Sequence, residues 1–248
     1  MKITIVTAVF NRKATIGQTV RSVGSQSHEN VEHIIQDGGS TDGTLEVLAN
    51  LQSKHGLLVQ SAPDNGIYDA INKGINRASG DVVGLMHSDD FYASDDVLSK
   101  VAERLKDSRI QGVYGDLDYV SVGDTAKIHR RWRSGSYNRK NLTRGWMPPH
   151  PTLYLRRSVF EEWGVYDTSY QIAADYDAML RWLWAGQFKL AYIPEIMVKM
   201  RVGGESNRSL GRILRKSHED YRALKSNGVG GFGALVLKNI SKIRQFLP

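Results

Sequence analysis

The sequence predicts an α/β fold: a mostly parallel central sheet flanked by helices, then a small antiparallel ribbon and a C-terminal amphipathic helical tail. Three observations predict it. Apolar strand-like runs alternate with helical spacings from Ile3 to Met86, the rhythm of a parallel sheet with crossover helices. That rhythm is lost after Tyr114-Gly115-Asp116. Finally, Val236, Ile240, Ile243 and Leu247 recur on one helical face, with Lys238, Lys242 and Gln245 away from it.

In order, a first strand is predicted over 3–9, and Ile16, Val20 and Val23 give the helix behind it. A second strand over 31–36 runs into Asp37-Gly38-Gly39-Ser40-Thr41-Asp42-Gly43-Thr44. There glycines permit a tight turn, and Ser40, Thr41 and Asp42 offer oxygens to cap the next helix. A third strand is predicted over 57–60, a helix over 68–78, and a fourth strand over 82–86. Segments 116–122 and 127–132 read as the ribbon. Met147-Pro148-Pro149-His150-Pro151 reads as a rigid break, and helices are expected near 158–163 and 175–184. The chain divides into a domain over 1–205, with halves 1–116 and 117–205, and a basic tail over 206–248.

With 248 residues the chain can bury a substantial core. It has no cysteine, which excludes disulfides, thiolate chemistry and cysteine zinc sites. No apolar run suits a membrane span and no secretory segment opens the sequence, so a cytoplasmic protein is expected. The formal charge of +7 looks like a nucleic-acid signal until it is located: from Arg201 onward there are ten Lys/Arg against three Asp/Glu, the entire excess. A second basic stretch runs from Lys127 to Arg144. Basic side chains interleave with aromatics only at Arg130-Arg131-Trp132-Arg133, so no nucleic-acid partner is expected. An anionic membrane surface, met through the tail, is.

Residues that follow parallel strands share one rim of the sheet, the edge where open α/β sheets bind ligands. Thr7, Val9, Asn11, Asp37, Asp64 and the pair Asp89-Asp90 are therefore expected together. The pair suits a hard cation that keeps sites free for substrate phosphates. It equally suits an acidic turn that caps the next helix.

Thr7-Ala8-Val9-Phe10-Asn11, Gln36 to Thr44, Asp64-Asn65-Gly66-Ile67-Tyr68-Asp69-Ala70-Ile71-Asn72-Lys73-Gly74 and Ser88-Asp89-Asp90, in this order and spacing over roughly the first 200 residues, resemble the family 2 glycosyltransferases of the GT-A (Rossmann-like) fold. The resemblance implies an inverting transfer of a sugar from a nucleotide sugar, UDP before GDP or dTDP. The acceptor implied is a hydroxyl of a lipid-linked or growing surface glycan, in polysaccharide biosynthesis of the lipopolysaccharide kind, at the inner face of the cell membrane. It assigns Thr7, Val9, Asn11, Asp37, Asp64, Lys73 and Asp89 to the nucleotide sugar, and Asp90 with Asp89 to Mn²⁺ or Mg²⁺. Ile172-Ala173-Ala174-Asp175-Tyr176-Asp177 resembles the acceptor-side motif, which makes Asp175 the general base; as a residue alone, Asp175 also reads as a helix N-cap. Asp177 reads as a first-turn acid. His150, Gly203 and Gly204 are candidate acceptor or diphosphate contacts, or else a packed histidine and a turn.

The chain departs from the family pattern at His87, where a carboxylate often begins the metal motif, and at Gly203, where many relatives carry histidine. A sugar-phosphate nucleotidyltransferase competes as a reading, but no Gly- and Lys/Arg-rich phosphate loop opens the chain. A non-catalytic nucleotide-binding or membrane-recruitment module is the other alternative.

Overall fold

The computed structural model describes residues 1–203 and 210–243. Strands β1 (Ile3–Val9), β2 (Val31–Asp37), β3 (Leu58–Ser61) and β4 (Val82–Leu85) lie parallel in the order β3-β2-β1-β4. Helices α1 (Ile16–Gly24), α2 (Thr44–Ala49) and α3 (Ile67–Arg77) connect them. β1, β2 and β4 are buried on both faces, with Ile3, Ile5, Ile34, Ile35 and Val82 fully enclosed, which is why their apolar residues stand on both faces rather than at alternate positions. Gly74 lets α3 settle on β1, since a Cβ there would stand 2.3 Å from Val6 Cγ1.

Beyond β5 (Phe91–Tyr92) and α4 (Val97–Arg104) comes β6 (Gly112–Val120), which forms the expected antiparallel pair with β7 (Ile128–Trp132). β6 is more than one arm of a ribbon, however. It is central to the same sheet, flanked by β8 (Tyr154–Arg156) antiparallel and β9 (Leu190–Arg201) parallel. Its buried Val113, Tyr114, Leu117 and Val120 explain this position. The full order is β3-β2-β1-β4-β8-β6-β9-β5, so the two halves share one continuous sheet.

The proline-rich break holds a short 3₁₀ turn, His150–Thr152, after α5 (Arg139–Leu142). α6 (Arg157–Trp163) precedes α7 (Ala174–Leu180), and the continuous helix expected to 184 changes register into a π-helical turn at Arg181–Ala185.

The tail forms α8 (Leu210–Ser226) and α9 (Phe232–Ile243). Ala223, Leu224, Val229, Ala234 and Leu235 enter the same core as Tyr176, Met179 and Leu183. Lys238 lies opposite the apolar stripe, as its spacing predicts, but that opposite side is the inward one. The residue is 2% exposed, with Nζ 2.8 Å from Asp220 Oδ1 and 3.0 Å from the Tyr176 ring centroid. The buried cation is tolerated because a carboxylate and an aromatic face replace its water. Phe232, Val236, Leu237 and Ile240 are left exposed. Leu247 lies outside the described residues.

Candidate active site

The rim begins where β1 and β2 end. Asn11 sits in the left-handed region at φ 51°, which its short amide tolerates. Its Oδ1 accepts from the Thr41 amide at 2.9 Å, and its own amide donates to Ser40 Oγ at 2.8 Å. Asp37 is enclosed. Its Oδ2 accepts from the Gly39 and Ser40 amides (2.9 and 3.0 Å) and from Ser61 Oγ (2.6 Å), and Oδ1 accepts from Ser40 Oγ. Burial pushes this carboxyl up, but the bonds from Ser40, Ser61 and Gly39 outweigh it and the net shift is downward. Asp37 is therefore a carboxylate that shapes its loop through bonds to its own chain. Of the oxygens expected to cap α2, that of Asp42 does so: its Oδ1 accepts from the Thr44 amide at the start of α2 at 3.0 Å, while its Oδ2 accepts from the Lys13 amide at 3.0 Å. Ser40 Oγ instead accepts from the Asn11 amide, and the residue at the α2 N-cap is Gly43.

Thr7 and Val9 point into the core. Thr7 Oγ1 lies 3.0 Å from His33 Nε2, and Val9 packs with Ile16, Val20 and Ile35, so only their backbone reaches the rim. Asp64 stands over the Asp37 loop, close enough that a Cβ on Gly38 would meet its Oδ2 at 2.3 Å. Its Oδ1 accepts from the Gly66 amide at 2.9 Å. Lys73 braces this turn, with Nζ 3.0 Å from Pro63 O and 2.9 Å from Asp69 Oδ2.

The adjacent carboxylates that the sequence places side by side have different surroundings. Asp90 is fully buried. Its Oδ1 accepts from the Arg201 amide at 3.0 Å, and its Oδ2 is enclosed without a hydrogen-bond partner. Burial, then the charge of Asp89, pushes this carboxyl well above its ordinary range. Asp89 is half-buried, and among the described residues no hydrogen bond engages its carboxylate. Arg201, at the end of β9, clamps the turn from behind: its guanidinium reaches Asp89 O and Gln18 Oε1 and lies 5.1 Å from the Phe91 ring. Asp89 can hold a divalent ion only as one carboxylate among donor oxygens, for no group of three His, Cys, Asp or Glu able to hold a metal exists among the described residues. That arrangement fits Mg²⁺ or Mn²⁺ completed by substrate phosphates and water.

On the acceptor side Asp175 occupies the first turn of α7, and the N-cap is Ala173 rather than Asp175. Asp175 Oδ1 accepts from the Tyr176 amide at 2.8 Å and lies 3.4 Å from Tyr68 Oη. Asp177 is withdrawn, its oxygens taken by Asn227 Nδ2 (2.9 Å) and Arg181 (3.2 Å). His150 is buried with Nε2 2.8 Å from Tyr166 Oη, and burial holds its imidazole down at about 4. Its ring is 5.8 Å from that of His87, and Tyr166 stacks on Tyr68 at 5.8 Å. A chain of rings thus runs from His87 on the Asp89 loop to Tyr68 at Asp175. His87 is lowered by burial, with the charges of both Asp89 and Asp175 opposing that shift. Gly203 is exposed at φ 103°, and Gly204 lies outside the described residues.

Arg201, Tyr68 and Tyr166 were not singled out from sequence. Tyr68 stands inside a recognisable motif, which is a signal; Arg201 meets its turn across more than a hundred positions and has none.

The family model for Glycosyl transferase family 2 matches residues 4–164. An uncharacterized glycosyltransferase of Mycobacterium tuberculosis is 32% identical over 181 residues, 72% of this chain and 68% of that protein. A PGL/p-HBAD biosynthesis glycosyltransferase of the same organism is 28% identical over 71% of this chain and 68% of its own length. Among solved structures, Staphylococcus aureus TarS superposes with a TM-score of 0.69 at 16% identity, covering 92% of this chain and 39% of that one; a shorter form of TarS was solved with UDP-GlcNAc. The Pyrobaculum calidifontis mannosyltransferase PcManGT, in complex with GDP-Man and Mn²⁺, gives a TM-score of 0.68 at 14% identity over 97% of this chain and 69% of its own. These structures share the GT-A fold with the chain.

Proposed function

Because the chain belongs to glycosyl transferase family 2, we propose that it transfers a sugar, with inversion, from a nucleotide donor to a hydroxyl of a lipid-linked or growing surface glycan. The observation that carries this reading is the chain of ring contacts His87–His150–Tyr166–Tyr68, which joins the Asp89 loop of the nucleotide half to the Asp175 carboxylate of the acceptor half. A nucleotidyltransferase or an idle binding module accounts for neither the second carboxylate nor the family.

The loops carrying Asn11, Asp37 and Asp64 form the nucleoside side. Asp37 shapes its loop, and Asp64 and the backbone at Gly38 and Gly39 face the base and ribose. Asp89 would hold Mn²⁺ or Mg²⁺, whose charge would stabilise the departing diphosphate. Asp90, tied to Arg201, fixes the turn that presents Asp89. Asp175 takes the proton of the acceptor hydroxyl as the new glycosidic bond forms, with Tyr68 holding the carboxylate from one side. UDP is the preferred donor on the likeness to TarS solved with UDP-GlcNAc, and a GDP-sugar is the second choice on that to PcManGT.

For the membrane, among the described residues no helix is long and apolar enough to cross a bilayer. The outward residues of α9 are Phe232 (71% exposed), Ile240, Leu237 and Val236. The α5 turn, whose Gly145 abuts the inward side of α9 at Lys238 and Ala234, carries the exposed Lys140 and Arg144. An exposed apolar stripe on a helix in a basic tail suits peripheral docking on an anionic lipid surface at the cytoplasmic face.

The test is the release of UDP from UDP-sugars into water in the presence of Mn²⁺. The parent should release it slowly, and Asp175→Asn should bind donor normally while release falls by about a hundredfold, the scale of lost general-base assistance. Parental release by a stably folded Asp175→Asn protein would place the base elsewhere.

A further inference from the structure

We propose that Glu219, on α8, is the residue that positions Asp175. This rests on the reading of Asp175 as the base and goes beyond it, because it assigns a catalytic duty to the C-terminal tail.

Glu219 is buried, and its carboxylate accepts three consecutive backbone amides of the segment that leads into α7. Gln171 N donates to Oε1 at 3.1 Å, and Ile172 N and Ala173 N donate to Oε2 at 2.8 and 2.9 Å. Two residues later stands Asp175. The same segment is held from the opposite side: Ile172 O accepts from Tyr68 Oη at 2.7 Å, and that hydroxyl also reaches Asp175 Oδ1 at 3.4 Å. The position of the carboxylate therefore depends on a short piece of backbone pinned between Glu219 and Tyr68. Charged acceptors make the stronger class of hydrogen bond to amides, and three N–H groups directed at one buried carboxylate leave that backbone little freedom.

The neighbouring contacts of α8 extend the grip to both sides of Asp175. Arg222 donates to Ser169 Oγ at 2.7 Å and lies 4.2 Å from the Tyr170 ring. Ser226 Oγ is 3.3 Å from Tyr170 Oη, and Asn227 holds Asp177. Both Glu219 and Asp175 lie beyond residues 4–164, the range that the family model matches.

The experiment uses the full chain and four variants: Glu219→Gln, Glu219→Ala, Asp175→Asn and the double Asp175→Asn/Glu219→Gln. Nucleoside diphosphate release into water is followed with Mn²⁺ and whichever of UDP-N-acetylglucosamine, UDP-glucose and GDP-mannose the parent turns over fastest. In parallel, amide hydrogen exchange is read in peptides over 169–180, with 37–44 as control. Glu219→Gln should fold cooperatively, keep KM for the donor within about twofold and lose about tenfold or more in kcat, since small misplacement of a reacting group is costly. Its exchange should rise over 169–180 and not over 37–44, and Glu219→Ala should exaggerate each effect. On the Asp175→Asn background Glu219→Gln should cause no further loss, because it acts through the group already removed.

A Glu219→Gln protein with parental kcat, an equal loss on the Asp175→Asn background, or unchanged exchange over 169–180 overturns the proposal. So does a loss of kcat that comes with a matching rise in KM, the mark of general distortion. Parental turnover by Asp175→Asn overturns both this proposal and the reading of the base. Slow turnover by Asp175→Asn with fast turnover by Glu219→Gln overturns this proposal alone.

Discussion

Acidification from about pH 7.5 to about pH 5.5 should cost the fold about 1.4 kcal/mol for each of two buried histidines, His33 and His150. Burial holds their folded imidazoles neutral, at about 3 for His33 and about 4 for His150, against the ordinary value of 6.5. Between those limits the unfolded chain binds one more proton per histidine than the native state. Stability from this source is therefore complete above pH 6.5 and falls as the pH drops through that value toward the folded pKa. One pH unit below 6.5 the loss is about RT ln 11, or about 1.4 kcal/mol per group and about 3 kcal/mol for the pair. Asp90 works in the opposite direction. Burial and the Asp89 charge raise its folded pKa, so the native state keeps a proton that the unfolded chain has lost and gains stability as the pH falls. The slope of the parent mixes these signs, and a difference between proteins separates them. Urea unfolding of the parent, His33→Gln and His150→Gln at the two pH values is the assay. Each parent-minus-variant difference should shrink by about 1.4 kcal/mol on acidification. Variant curves that run parallel to the parent across this window would show that the imidazoles titrate as they do in water, and the burial argument would be wrong.

Asp89→Asn should abolish the Mn²⁺ dependence of UDP binding in calorimetry at an unchanged melting temperature, whereas Asp90→Asn should retain that dependence and alter stability, because its carboxyl serves the turn. Gly74→Ala should destabilise the chain by about 1–3 kcal/mol in urea, the usual cost of overpacking, since its Cβ would stand 2.3 Å from Val6 Cγ1 on β1; an unchanged midpoint would mean that α3 is not seated as described. The full chain should float with vesicles containing phosphatidylserine, and a Phe232→Ser/Ile240→Ser variant should remain at the bottom of the gradient. Equal flotation of the two would dissociate α9 from the membrane.

Local pattern alone was enough for the nucleotide half. There, the inner strands β1, β2 and β4 carry apolar residues on both faces because a parallel strand inside a sheet is buried on both, the edge strand β3 is exposed, and the ligand edge follows from the direction of the strands. Asn11, Asp37, Asp64 and Asp89 could thus be placed on one rim from local pattern alone. Pattern does not report where a side chain ends up once the rim is assembled. Asp89 and Asp90 are equivalent as letters, yet one is half-buried and the other fully enclosed on Arg201. Thr7 points at His33 rather than the rim. The central place of β6 depends on β8 and β9, which arrive tens of residues later. The tail was read as a basic amphipathic appendage because charge and period are properties of the helix alone. Only packing decided that Lys238 turns inward to Asp220 and Tyr176, and that Glu219 grips the segment before Asp175. A buried charge is stabilised by partners that spacing within its own helix cannot name, so its position is settled only when distant segments meet.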